Sequence, residues 1–151
     1  MSSVAVRTLF KNFLVANSAE TVVDLTGEFG DLRTILPDYD VQPDSPWLGI
    51  EFIGGVENPV SLVADNTRGL YREVGMVQLH VVAVARLGAG NSILTRGEVL
   101  RNLFRGLRID GIIIEAVNPI NTGPGATLEF EAGFVSGTIS VEYHYDFTPG
   151  T

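Results

Sequence analysis

The stretch Arg72 to Arg86, R-E-V-G-M-V-Q-L-H-V-V-A-V-A-R, limits the folds open to this chain more than any other. Gly75, Val77, Leu79, Val81, Ala83 and Ala85 fall on one side of an alternating pattern. Val74, Met76, Gln78, His80, Val82, Val84 and Arg86 fall on the other. The first side is wholly apolar and the second is mixed. That is the period of two expected of a strand with one face on a core. A glycine-rich turn, Gly88-Ala89-Gly90, then leads into a helical pattern from Asn91 to Arg105. In that helix Asn91 or Ser92 is the expected cap, and Thr95 with Glu98 has the spacing of an internal capping box. Ile93, Leu94, Val99, Leu100, Leu103, Phe104 and Leu107 form its apolar stripe. Gly97 is small enough for close packing, and Gly106 is the expected stop. Val77, Leu79 and Val81 are expected to pack on Leu100, Leu103 and Phe104.

The remaining segments can be placed around this unit. Residues 4 to 16 read as an amphipathic helix, with Val6, Leu9, Phe10, Phe13 and Leu14 inward, Arg7 and Lys11 on the other side, and Ser2 or Ser3 as cap. Residues 24 to 46 read as an acidic loop broken by Gly27, Gly30, Pro37, Pro43 and Pro46. Asp38, Asp40 and Asp44 lack the glycine and distal glutamate of a calcium loop, so they read as solvated. Trp47 to Ile53 is a strand that Gly54-Gly55 is expected to end. A shorter strand at Val60 to Ala64 and a hairpin tip at Asp65 to Gly69 lead into the long strand. Ile112 to Val117 is a buried-type strand, followed by a loop from Asn118 to Gly125. Leu128 to Phe134 and Ile139 to Phe147 read as two half-buried strands joined by a turn at Ser136-Gly137. The order predicts one domain, 1–151, of α+β class, with a mainly antiparallel sheet and both helices on one face.

Composition narrows the function. The chain has no cysteine, which removes disulfides and thiolate chemistry. No apolar run is long enough for a membrane span, and no secretory signal is visible. Formal net charge is −8, and of 10 basic residues only Lys11 is a lysine. That balance opposes binding to nucleic-acid phosphates. Mean hydropathy is positive, +0.23, which fits either a large core or apolar surface buried between subunits. Arg101, Arg105 and Arg108 fall on one polar face, which reads either as solvated or as a contact with an acidic neighbour.

Residues capable of chemistry are present without a reactive set. His80 sits in the long strand. His144 is flanked by Glu142 and Asp146 on one strand face, a weak zinc arrangement. Glu129 and Glu131 lie roughly 7 Å apart by strand rise, a glycosidase-like separation. Alternating glutamates on an exposed strand are ordinarily solubility residues. Gly88-Ala89-Gly90-Asn91 lacks the third glycine and the lysine of phosphate loops, so it reads as a turn.

The whole pattern resembles the tail terminator, or tail-completion, proteins of long-tailed bacteriophages and gene transfer agents. The resemblance rests on Arg7 to Phe10, on Pro43-x-x-Pro46-Trp47-Leu48 and on Arg72-x-x-Gly75 followed by alternation. It continues through Arg96 to Phe104 and ends at Val141 to Asp146. The acidic Leu36 to Asp44 loop departs from it. The resemblance implies a structural virion protein of the tail and neck, assembled in the host cytoplasm, with no enzyme activity, cofactor or metal. It implies a homohexameric ring that caps the finished tail tube, contacts the tail tube protein, and offers a surface to the head–tail connector or stopper. DNA would pass through such a ring without specific binding, and no membrane is involved. Candidate interface residues are Arg68, Asp38, Asp40, Asp44, Asn118 and Asn121, with Arg101, Arg105 and Arg108. Alternatives are a tail tube subunit or head–tail stopper, and a small hydrolase built on His144, Glu129 and Glu131.

Overall fold

The computed structural model describes residues 3–26, 35–41, 45–60, 69–122 and 134–148. They form a six-stranded sheet with two helices. Helix α1 spans Val4–Asn17 and α2 spans Ala89–Phe104. The strands are β1 (Val22–Asp24), β2 (Trp47–Pro59), β3 (Tyr71–Val84), β4 (Arg108–Ile109), β5 (Ile112–Val117) and β6 (Phe134–Phe147). Their spatial order is β1-β2-β3-β6-β5-β4, and only β1 and β2 run parallel. The long alternating strand is therefore central, paired along its length with β2 on one side and β6 on the other.

Both helices pack on one face of the sheet. Val6, Phe10 and Leu14 of α1 and Ile93, Leu100 and Phe104 of α2 share a cluster with Val77, Leu79, Val81, Ile139 and Val141. Leu103 is only partly buried against it, while Leu94 and Val99 are 50% and 65% exposed. The helical stripe read from the sequence is thus too wide. Phe10 is the meeting point, stacked on Phe104 and edge-on to Phe52 and Tyr143. Helix α2 approaches β6 closely. A Cβ at Gly97 would come 2.5 Å from Ile120, and one at Gly137 would come 2.7 Å from Ile93. The gap therefore admits only glycine without repacking.

Several boundaries differ from the sequence expectation. Gly54-Gly55 does not end β2. A bulge there shifts the register between Ile53 and Gly55, and pairing with β3 resumes to Pro59. No turn occurs at Ser136-Gly137, which lie inside β6 opposite Val82 and Val81. Helix α2 starts earlier than expected, after Gly88 (φ 87°), with no side-chain cap from Asn91 or Ser92. Ser3 does cap α1, its hydroxyl accepting from Val6 N–H. Strand β1 runs up to the start of the acidic loop at Asp24, and the loop itself supplies a 3-10 helix at Leu36–Tyr39. Leu36 joins Val23, Trp47, Val82 and Phe134 in a second cluster on the opposite face of the sheet. The expected strands at 60–64 and 128–134 and the tip at 65–69 lie wholly or mostly outside the described residues. Val60 itself only donates its N–H to Leu70.

Phe10→Ala is expected to cost about 3–5 kcal/mol, since it removes a fully buried ring that holds both helices to the sheet. A urea midpoint unchanged from wild type would show that α1 is not docked this way.

Candidate functional site

The face of the sheet away from the helices carries most of the buried polar side chains among the described residues. Alternation along β3 places Arg72, Val74, Met76, Gln78, His80 and Val82 there. His80 is 2% exposed and lies between β2 and β6. Its Nδ1 is 2.9 Å from Thr138 Oγ1 and its Nε2 is 3.1 Å from Glu51 Oε2. Burial pushes the His80 pKa down, and the Glu51 carboxylate only partly offsets this.

A hydroxyl, an imidazole and a carboxylate in line have the connectivity of a hydrolase triad. Here the hydroxyl belongs to Thr138, which is 8% exposed, and all three groups hang from adjacent strands of one sheet. A cleft of about 540 Å³ is lined by Arg86, Gly90, Ile93, Leu94, Val135 and neighbours, and a smaller one of about 230 Å³ by Pro46, Leu87 and Ser92 among others. Neither is lined by Thr138, His80 or Glu51. The arrangement joins three strands in register.

His144 pairs through Nδ1 with Glu115 and not with Glu142 or Asp146 as the sequence suggested. Ile114 and Tyr143 face each other on the helix side, so alternation along β5 places Glu115 on the opposite side with Ile113 and His144. Asp146 is engaged by Arg72 instead, through a bidentate pair at 2.6 and 2.8 Å. That hydrogen bonding holds the Asp146 carboxyl below its ordinary range. No group of three potential metal ligands occurs among the described residues. Glu129 and Glu131 lie outside them, as do Arg68 and Asp44.

On the helix face Glu73 is 4% exposed, and its Oε1 accepts from the Tyr143 hydroxyl at 2.8 Å and from Ser3 N–H at 3.1 Å. Gly75 makes room for this contact, since a Cβ there would lie 2.6 Å from the Tyr143 oxygen. A carboxylate at the start of α1 also opposes the positive end of the helix dipole. Nothing in the sequence distinguishes Glu73 from a surface glutamate except its place on the apolar side of the alternation.

The interface candidates among the described residues lie on several elements. Asp38 is exposed in the 3-10 helix, and Asp40 follows it in a left-handed conformation (φ 56°). Asn121 is exposed, but its backbone exchanges two hydrogen bonds with Thr138; Asn118 donates its N–H to Ser140. The three arginines do not share one helical face. Helix α2 ends at Phe104, so Arg105 is its C-cap and Arg108 lies on β4. Arg101 donates to the Val117 carbonyl at 3.4 Å and pairs with Glu98, as does Arg105. Arg108 is exposed and makes no ion pair among the described residues.

No protein-family model matches the chain, and no curated protein matches it. Among solved structures 13 chains match. One, whose name carries no functional description, has a TM-score of 0.54 at 18% identity, covering 99% of each chain. That likeness concerns the fold alone. No helix among the described residues is long and apolar enough to cross a membrane.

The buried histidine gives a pH prediction. A folded-state pKa below the unfolded one makes His80 contribute stability above about pH 6.5 and lose it as pH falls toward the lowered value. Between pH 7 and pH 5 the wild-type melting temperature should fall more steeply than that of His80→Gln. Parallel profiles for the two proteins would rule His80 out as the source.

Proposed function

We propose that this chain is a structural subunit of a tail terminator ring, which caps a finished tail tube and presents the tail side of the joint to the head. The observation that carries the reading is the order and spacing of five segments across the chain: Arg7 to Phe10, Pro43 to Leu48, Arg72 to Gly75, Arg96 to Phe104, and Val141 to Asp146. Segments of α1, β2, β3, α2 and β6 are among them, and these elements build one core. A single α+β domain with exposed apolar side chains at Ile53, Val56, Val74, Leu94 and Val99 suits a subunit with neighbours.

A ring that binds the growing end of a tube must complement that end and carry no copy of it on its far side. Otherwise stacking would continue as an open filament. Each subunit contributes one modest patch, and several patches engaged together give a stable cap through effective concentration. The charge of −8 suits a lumen that DNA must leave, because an acidic wall repels phosphates over about 8 Å at physiological salt.

A tail tube subunit is the second reading. It gains from the length of the β2–β3 arm, which stays paired as far as Pro59 and Tyr71, beyond the Gly54-Gly55 end read from the sequence.

Deletion of the gene in its phage or particle-producing host separates these readings. Loss of a terminator is expected to leave tailless heads beside tubes of uncontrolled length. Loss of a tube subunit would leave no tubes at all. Tails of normal length joined to heads would overturn both.

A further inference from the structure

The face of the sheet away from the helices is covered at one end, where Leu36 of the 3-10 helix closes over Val23, Trp47, Val82 and Phe134. The other half is open among the described residues. Alternation ordinarily makes such a water-facing side of an antiparallel sheet polar. Here it is apolar along two rows. One runs from Ile53 through Met76 and Glu142 to Ala116, the other from Val56 through Val74 and His144 to Ile113. Val56 is 62% exposed, Val74 41% and Ile53 39%. Two rows across four strands make a strip roughly 14 Å long by the spacing of strands.

Carboxylates surround this strip. Glu142 stands within it and makes no hydrogen bond or ion pair among the described residues. Glu115 is exposed beside Ala116, and Glu51 lies two residues along β2 from Ile53. Glu115 and Glu51 bond to the imidazoles of His144 and His80. The formal charge count takes both histidines as neutral at pH 7, and burial lowers the His80 pKa further. These bonds orient the two carboxylates and leave their charge uncancelled. Asp146 is matched by a cation, Arg72. The open half-face thus holds four carboxylates against one guanidinium.

We propose that this half-face seats an amphipathic helix of a partner protein, with lysines or arginines flanking its apolar stripe. The sheet already holds two helices on its other side by apolar contact. A helix of about ten residues spans roughly 15 Å, which matches the strip. Apolar side chains of such a helix cover Val56 and Val74, and its cations meet Glu142, Glu115 and Glu51. Charge excludes the other occupants. A second copy brings a net charge of −8 and the same acidic face, and anionic lipid or nucleic acid is repelled in the same way. The assignment goes beyond the terminator reading and does not depend on it.

A synthetic peptide of about 14 residues, with leucines at helical spacing and lysines on either side, serves as probe. By fluorescence anisotropy at physiological salt it should bind, and a counterpart with glutamate for every lysine should bind at least tenfold more weakly. Glu142→Lys should weaken binding at least tenfold. Glu98→Lys, the same change of charge at an exposed position on α2, should alter it less than twofold. Val56→Ser should weaken it at least threefold. Circular dichroism checks that each variant keeps its fold. Methyl resonances of Ile53, Met76 and Ile113 should shift on binding, while those of Ile93 and Leu100 stay in place. Equal losses from Glu142→Lys and Glu98→Lys would reduce the effect to net charge and overturn the proposal. So would absence of binding, equal binding of the two peptides, or shifts confined to the helix side. The deletion phenotype, which tests the terminator reading, is independent of all these outcomes.

Discussion

The Phe10 ring is the contact on which the arrangement of this domain depends. It is fully buried, with ring centroids 6.1 Å from Phe104, 6.1 Å from Phe52 and 5.4 Å from Tyr143. Those partners belong to α2, β2 and β6. One side chain thus couples two helices, far apart in sequence, to two strands on either side of β3. Polar contacts then fix the direction of α1. Its first turn is held by Glu73 through Ser3 N–H, and Arg7 and Lys11 reach Asp24 on β1 at 3.3 and 3.2 Å. Burial pushes the Asp24 pKa up, but hydrogen bonds from Thr26 and Lys11 outweigh this and leave it lowered. The aromatic contacts bury the helix against the sheet, and the charged contacts set the register of the helix on the sheet.

The opposite face solves a different problem. Long apolar strands with no polar marker can slip by a residue. Here Glu51, His80 and Thr138 run across β2, β3 and β6 in one hydrogen-bonded row. A slip would leave a buried imidazole without partners, at a cost of about 1–3 kcal/mol for each unsatisfied group. Arg96 secures the edge of the same region. Its guanidinium donates to the Val82 and Trp47 carbonyls at 2.8 and 3.3 Å. Its Nε lies 2.5 Å from a Glu20 oxygen as an ion pair, off the N–H direction. A planar fork can serve two strand carbonyls and a carboxylate at once, which a lysine could not.

These features explain what could and could not be read from the sequence. The alternation of β3 and the core of the α2 stripe were legible because side-chain period is a direct image of burial. The glycine pairs misled. Gly54-Gly55 looked like an end and is a bulge. Ser136-Gly137 looked like a turn, yet those residues are small because Ile93 and Ile120 press on β6 at Gly137. A turn signal the sequence does carry is Asp110-Gly111, between Ile109 and Ile112, with φ of 42° and 95°. Three-residue β1 was too short to show a period. The Glu115–His144 pair was hidden because it joins two strands whose mutual register the sequence does not show. The fold class needed only the long periods, whereas the polar pairs depend on which strands are neighbours and in what register.

The distribution of charge follows from the same economy. Arg7 and Lys11 bind Asp24, Arg72 binds Asp146, Arg96 binds Glu20, and Arg101 and Arg105 share Glu98. Most of the cations among the described residues are thus paired with carboxylates of the same chain. Carboxylates such as Asp38, Asp40 and Glu57 remain at the exposed surface. Two copies in solution therefore repel through their net charge, screened beyond about 8 Å at physiological salt. Contacts closer than that distance are screened less. On the proposed function, copies that repel in free solution would associate only where something else holds them close. In the proposed reading the exposed end of a finished tube plays that part.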